Sequence, residues 1–196
     1  MEGKAIYFEK QSRQRCGIHA LNNLFQGSVF SKKSFDRICY KLSPKAFINP
    51  HKSMFGTGNY DINVLIVAVE QQGYKITWFN SQKGIDAVAF DDLLGVIVNG
   101  QPVASGLFQG IAAKVFNSQH WFALRPFLVS DSNNSKKSSM TWYSLDSNLS
   151  QPIPLPDVRT FLRNLLSLGT THIMLVARPG VDVYLNETKQ ITEVES

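Results

Sequence analysis

Cys16 lies in Gln11-Ser-Arg-Gln-Arg-Cys16-Gly-Ile-His-Ala-Leu-Asn-Asn-Leu-Phe25, where a polar, basic approach turns into an amphipathic helical pattern. A thiol in the first turn of a helix feels the positive end of the backbone dipole, which favours the thiolate, its nucleophilic form. A cysteine hydrolase needs two more side chains: a base that takes the thiol proton and a group that orients the base. Far down the chain, His120 and Asp146 have the right chemistry for those two roles. The reaction also needs hydrogen-bond donors aimed at the oxyanion that forms on the attacked carbonyl. The Cys16 backbone N–H at the helix start is one. Gln11 and Gln14 both qualify as the second, and spacing alone does not choose between them.

The other candidate ligands and nucleophiles read as structural. Cys39 falls on the apolar face of a helical pattern with Ile38 and Leu42, the usual place of a buried cysteine. His19 follows Cys16 by one helical turn, but a Cys-x-x-His pair without further ligands does not make a zinc site. Neither a metal nor a cofactor is expected.

These residues must be positioned by the elements around them. Apolar Ile18, Leu21, Leu24 and Phe25 follow helical spacing from Cys16 until Gln26-Gly27. Ser31 caps a second predicted helix that stops at Ser43-Pro44, and Asp61 caps a third that closes at Gly73. Lys45 to Tyr60 reads as loop. Strands are predicted at Tyr74–Phe79 and Gly95–Asn99, with a helical turn near Asp91–Leu94 between them. Pro156-Asp157 opens a further helix capped by Gly169, and His172–Ala177 is a buried strand. Three helices followed by strands argue for an α+β domain rather than a βαβ array. The chain beyond Pro179 reads as a frayed tail, so the domain is set at residues 7–178 and a mobile tail at 179–196.

The hairpin that carries both His120 and Asp146 matters most. Gln119–Arg125 and Thr141–Asp146 are β-like, and the polar stretch Ser130–Ser139 between them reads as a long flexible loop. With Pro126 opposite Met140 at the loop base, counting inward sets Leu124 against Trp142, Phe122 against Ser144 and His120 against Asp146. Directly opposed residues share a face with Cβ atoms ~5 Å apart, and a one-residue slip would separate the pair.

The bulk composition narrows the remaining classes. In 196 residues, 43% are hydrophobic and 18% charged, enough apolar material for a core and too little charge for a disordered chain. The net charge of +5 comes from scattered Lys and Arg with no basic stripe interleaved with aromatics, which argues against nucleic-acid binding. Two cysteines make no disulfide framework, and no stretch reaches signal-peptide or transmembrane length. A monomer in a reducing cytoplasmic or nuclear setting, without an integral membrane segment, is expected.

Phe8-Glu-Lys-Gln11, Cys16-x-x-His-Ala-Leu-Asn-Asn-Leu, Gly56-Thr-Gly-Asn-Tyr-Asp-Ile-Asn-Val64, His120-Trp and Leu145-Asp-Ser, in this order, resemble the Josephin family of cysteine deubiquitinases. The resemblance runs from about Tyr7 to Arg178, and the Gly-Thr-Gly-Asn-Tyr-Asp string is most like the short Josephin-only members. It implies a papain-like fold with a helical arm, between Ser31 and Thr57, that can gate the cleft. It implies hydrolysis of the bond after the C-terminal glycine of ubiquitin, with ubiquitin and its conjugates as partners. In this reading Cys16 is the nucleophile, His120 the base, Asp146 its orienter and Gln11, over Gln14, the oxyanion donor. Ile62 and Asn63 at the start of the third helix, with Trp121, are the implied ubiquitin contacts. The place of a family aromatic at the end of that helix is held by Gln72. A ubiquitin-binding module with little or no turnover is the alternative.

Overall fold

The computed structural model describes residues 5–12, 14–53, 58–100, 120–131 and 134–185. Positions 54–57 of the expected arm, 132–133 of the expected loop and 186–196 of the expected tail lie outside the described residues. Within them the chain runs α1 (Cys16–Phe25), α2 (Lys32–Leu42), α3 (Ile62–Glu70), β1 (Lys75–Trp78), a 3-10 turn (Phe90–Asp92), β2 (Gly95–Gly100), β3 (His120–Asp131), β4 (Asn134–Leu145), β5 (Ile153–Leu155), α4 (Val158–Ser167) and β6 (His172–Ala177). The strands form one sheet in the order β1-β6-β2-β3-β4-β5, antiparallel throughout. The fold is α+β, as the helix-then-strand order predicts.

The sheet separates two cores because side chains alternate across it. Ile97, Ala123, Leu145, Met174 and Val176 face α1, α2 and α3, where Leu21, Leu24, Phe35 and Leu65 are buried. Their neighbours Val96, Val98, Phe122, Leu124, Ile173 and Leu175 face α4 and pack on Leu162 and Leu165. Each such fully buried aliphatic side chain contributes about 1.5–3 kcal/mol of transfer free energy. A sheet covered on both faces holds its central strands rigidly, and β3, the strand that starts with His120, pairs with β2 on one side and β4 on the other.

Local chemistry sets the helix ends. Ser31 Oγ accepts from the Ser34 N–H while Ser34 Oγ accepts from the Ser31 N–H, a reciprocal capping box. Asp61 accepts from the Val64 N–H, and Asp157 from those of Arg159 and Thr160. At the end of α1, Gln26 adopts φ 58° and the Arg125 guanidinium donates to the Leu24 carbonyl, where a cation also suits the helix dipole. The segment after α2 is tied back by Asp36, which accepts from Lys32 and Lys52 at 2.6 and 3.0 Å, and by a His51–Asp61 contact of 2.8 Å.

Three expectations are corrected. First, Ser130–Asp131 and Asn134–Ser139 are strand rather than loop: β3 continues to Asp131 and β4 begins at Asn134, with a bulge near Ser130/Asp131. Beyond Leu124, β3 has no partner in β2, so the pair runs on as a two-stranded ribbon with Leu128 and Met140 exposed. Phe127, Trp142 and Tyr143 at its base still pack on the cores, but farther out the ribbon has no need of apolar side chains, which is why a polar composition concealed it. Second, β5 goes unread because Ile153-Pro-Leu155 carries a proline, tolerated here on an edge strand. Third, the chain beyond Pro179 does not fray at once. Val183 and Tyr184 are buried, Ala89 N–H donates to the Val183 carbonyl at 3.0 Å, and Leu185 N–H donates to that of Ala87 at 2.7 Å.

Candidate active site

The site is built where the start of α1, the start of β3 and the end of β4 meet. Cys16 is the first residue of α1 and 8% exposed. Arg15, the N-cap residue, makes no side-chain cap hydrogen bond, and the Cys16 N–H sits at the positively polarised start of the helix. Gly17 follows for a steric reason. A Cβ there would stand 3.2 Å from Leu65 and 3.7 Å from Trp121, so glycine lets α1 seat closely on α3 and β3.

His120 and Asp146 meet, but by a different register from the one counted inward from Pro126 and Met140. The ladder runs Ala123–Leu145, Leu124–Ser144, Pro126–Trp142 and Leu128–Met140, two residues away from the expected pairing. An even shift preserves the face, since strand side chains alternate with period two. His120 and Asp146 therefore stay on one face as diagonal neighbours, within reach of their longer side chains. His120 Nε2 lies 2.7 Å from Asp146 Oδ1, both residues are buried, and the imidazole stacks on Phe122 at 6.3 Å.

With Nε2 committed to Asp146, Nδ1 is the nitrogen left for the thiol, and Cys16 is close enough to help raise the imidazole pKa. Burial opposes a charged imidazole. The hydrogen bond and charge of Asp146, helped by the Cys16 sulfur, outweigh it, raising the His120 pKa to about 9. A protonated imidazole held between a carboxylate and a sulfur can stabilise a thiolate and then give its proton to a leaving group.

Asp146 is itself fixed. Just past β4, its carboxylate accepts from the Asn148 N–H at 2.9 Å and its carbonyl from the Leu149 N–H at 2.9 Å, closing a tight turn. Gln11 sits against the same turn: its N–H donates to the Ser147 carbonyl at 2.6 Å, and its Oε1 accepts from the Ser147 hydroxyl at 2.9 Å. Gln14 goes elsewhere. It is exposed, and its carbonyl accepts from the Asn59 N–H at 2.7 Å, pinning the approach to Cys16 onto the chain that enters α3. Gly58 makes that contact possible: its φ is +124°, and a Cβ would fall 2.0 Å from the Gln14 carbonyl oxygen.

A second polar cluster, not foreseen from the sequence, holds the Gln11 segment on α1. Glu9 accepts from Asn22 at 3.0 Å and from the Tyr7 hydroxyl, and its Oε2 lies 2.6 Å from His19 Nδ1. The Ser12 N–H donates to His19 Nε2 at 3.3 Å, so Nε2 carries the lone pair and Nδ1 the proton given to Glu9. Asn23 donates to the carbonyls of Glu9 and Leu145, linking this segment to the end of β4. His19 is thus a tether rather than half of a metal site, and among the described residues no three His, Cys, Asp or Glu side chains group as metal ligands. Its signal was the Cys-x-x-His and Asn-Asn spacing along one helix, but the partner Glu9 is visible only in three dimensions.

Cys39 is fully buried, and burial pushes its thiol up to about 11, which makes it an unreactive packing residue. Of the expected surface contacts, Asn63 is exposed and donates to Asp61 Oδ2 at 3.2 Å, and Ile62 is half-buried against the first core. Trp121 is only 6% exposed and packs inward by Gly17, so its ring offers little surface to a partner. Among the described residues, no helix is long and apolar enough to cross a membrane.

The sequence compares closely with known proteins along nearly its whole length. The Josephin family model matches residues 11–177. Josephin-2 of Mus musculus is 34% identical over 181 residues, spanning 91% of this chain and 89% of that protein. The Josephin-like protein of Drosophila melanogaster is 37% identical over 158 residues, spanning 80% of this chain and 66% of its own. The Ataxin-3-like protein of Homo sapiens is 27% identical over 183 residues, spanning 83% of this chain and 42% of its own.

Proposed function

The chain belongs to the Josephin family, and on that premise we propose that it is a thiol-dependent deubiquitinase that cleaves after the C-terminal glycine of ubiquitin. Family membership supports a deubiquitinase-type function in general. The observation that carries the specific reading is the buried 2.7 Å contact between His120 and Asp146, with Cys16, the first residue of α1, close enough to act on the same imidazole.

In the proposed reaction, the Cys16 sulfur attacks the carbonyl of the terminal glycine while the imidazolium form of His120 balances its charge. The oxyanion that forms is met by the Cys16 N–H and the Gln11 amide. His120 then protonates the departing amine, and the C–N bond breaks to leave a thioester on Cys16. Neutral His120 next takes a proton from water, which attacks the thioester and frees the ubiquitin carboxylate. Asp146 holds Nε2–H, so that Nδ1 remains the working nitrogen. Ile62 and Asn63, at the start of α3, are the proposed ubiquitin contacts.

The test is a ubiquitin probe carrying a C-terminal electrophile. The wild-type chain should form a covalent adduct that the Cys16→Ala and His120→Ala variants do not. Failure of the wild type to label, beside a positive-control thiol deubiquitinase, would sink the hydrolase reading.

A further inference from the structure

Counted along the sequence the basic residues look scattered, but in the fold they gather on one element. Residues 32–52 hold six Lys or Arg and one Asp, a net of +5 that equals the net charge of the whole chain. Lys33, Arg37 and Lys41 are spaced by four, which hides a stripe in the sequence and makes one on a helix. All three are exposed, on the side of α2 turned away from buried Phe35, Ile38 and Cys39. Lys32 and Lys52 are answered by Asp36, at 2.6 and 3.0 Å. Among the described residues, Lys33, Arg37, Lys41 and the exposed Lys45 have no carboxylate partner.

Just past the stripe, the chain turns apolar side chains toward water. Phe47 is fully exposed, Ile48 is 54% exposed, and both line one shallow groove with the exposed Tyr40 of α2. The loop that carries them is held at both ends. The Ser43 N–H and the Asn49 side chain both donate to the Cys39 carbonyl, at 3.1 and 2.8 Å. A loop anchored this way holds its phenylalanine and isoleucine outside the cores, where an apolar phase can reach them.

We propose that this side of α2 and the loop after it form a docking surface for a membrane leaflet rich in anionic phospholipid. Phe47 and Ile48 enter the interface, while Lys33, Arg37, Lys41 and Lys45 meet the lipid phosphates. The charge selects an anionic partner, and the apolar tip selects a lipid one. A groove for single-stranded nucleic acid sets several stacking rings among its cations. Here aliphatic Ile48 shares the tip with Phe47, and the lipid interface is the environment that accepts both. The surface is separate from Cys16, His120 and Asp146, so the proposal stands independently of the hydrolase reading.

The test is co-sedimentation of the full chain with vesicles of phosphatidylcholine alone and of phosphatidylcholine with about 30% phosphatidylserine. The chain should bind the mixed vesicles and not the neutral ones, and added salt should weaken binding. Lys33→Ala, Arg37→Ala and Lys41→Ala should each weaken it about fivefold. Phe47→Ser should weaken it by about tenfold at unchanged charge. In Phe47→Trp, the added tryptophan emission, read against the parent chain, should shift to the blue when mixed vesicles are added. These side chains are exposed, so unchanged thermal midpoints are expected and separate lost docking from lost folding. No binding to mixed vesicles, or equal binding to neutral ones, would overturn the proposal. So would Phe47→Ser binding as well as the wild type, or tighter binding to a single-stranded oligonucleotide that Phe47→Ser leaves intact. Self-association that Phe47→Ser abolishes, seen by light scattering without vesicles, would assign the tip to a second copy instead.

Discussion

Asp146→Asn removes one charge and almost nothing else. An asparagine there still offers an oxygen to His120 Nε2–H and to the Asn148 N–H, which the aspartate serves at 2.7 and 2.9 Å. The imidazole of wild-type His120 is raised from 6.5 to about 9. At about 1.4 kcal/mol per pKa unit, that gap corresponds to the order of 3 kcal/mol of preference for the protonated folded form. Because the folded pKa is the higher one, this stabilisation is complete below pH 6.5 and is lost as pH rises through about 9. Burial is the largest single influence on His120 and lowers its pKa, with the Asp146 hydrogen bond the largest influence opposing it. Without the aspartate charge burial prevails, and the imidazole falls by about 2 units. Two measurements follow His120 directly: its imidazole NMR titration and the alkaline limb of kcat/KM on a ubiquitin substrate. Wild type should keep activity to about pH 9, while Asp146→Asn should lose it near neutrality. Urea unfolding between pH 6 and 9.5, with Cys16→Ala in both chains to remove the thiol, should show stability declining with pH only where Asp146 is present. Midpoints of the two chains agreeing within about half a unit would refute an electrostatic hold by Asp146 on His120.

Alkylation should separate the two cysteines. At pH 7.5, iodoacetamide should modify Cys16 in the native protein and spare Cys39, whose buried thiol titrates near 11. Comparable labelling by mass spectrometry before and after denaturation would contradict that burial. Gly58→Ala should destabilise by at least about 2 kcal/mol, since it adds a clash with the Gln14 carbonyl to a backbone angle that side chains avoid. Gly73→Ala, at φ +76° with open space around it, should cost only about 1 kcal/mol, and calorimetry on the pair separates clash from conformation. Ser31→Ala should cost about 1 kcal/mol by breaking the capping box, seen as a lower urea midpoint with unchanged slope.

What was legible in the sequence is what depends on near neighbours. Ser31, Asp61 and Asp157 each act within three residues of themselves, so the helix starts read correctly. The glycines that close α3 and α4 do the same, with φ of +76° and +75° at Gly73 and Gly169. His172–Ala177 was readable because a central strand is apolar on both faces. Register is not, because the apolar alternation stops well before the backbone turns. His120 and Asp146 still share a face because the observed register differs from the expected one by an even number of residues. Glu9 with His19, and Gln11 with Ser147, join side chains across 10 and 136 residues, and nothing within either short segment announces the other.

The 136-residue span between Gln11 and Ser147 also has a consequence for the time course of folding. Cys16 lies near the start of the chain, yet its base and the anchors of that base and of the oxyanion donor come from the second half. During synthesis, a ribosome-bound chain that has not yet exposed residue 147 carries an ordinary cysteine beside an unanchored glutamine. Contacts this distant in sequence are among the slowest to close, because loop entropy must be overcome before any of them is rewarded. The thiol therefore cannot gain its base until the chain through residue 146 is available to fold.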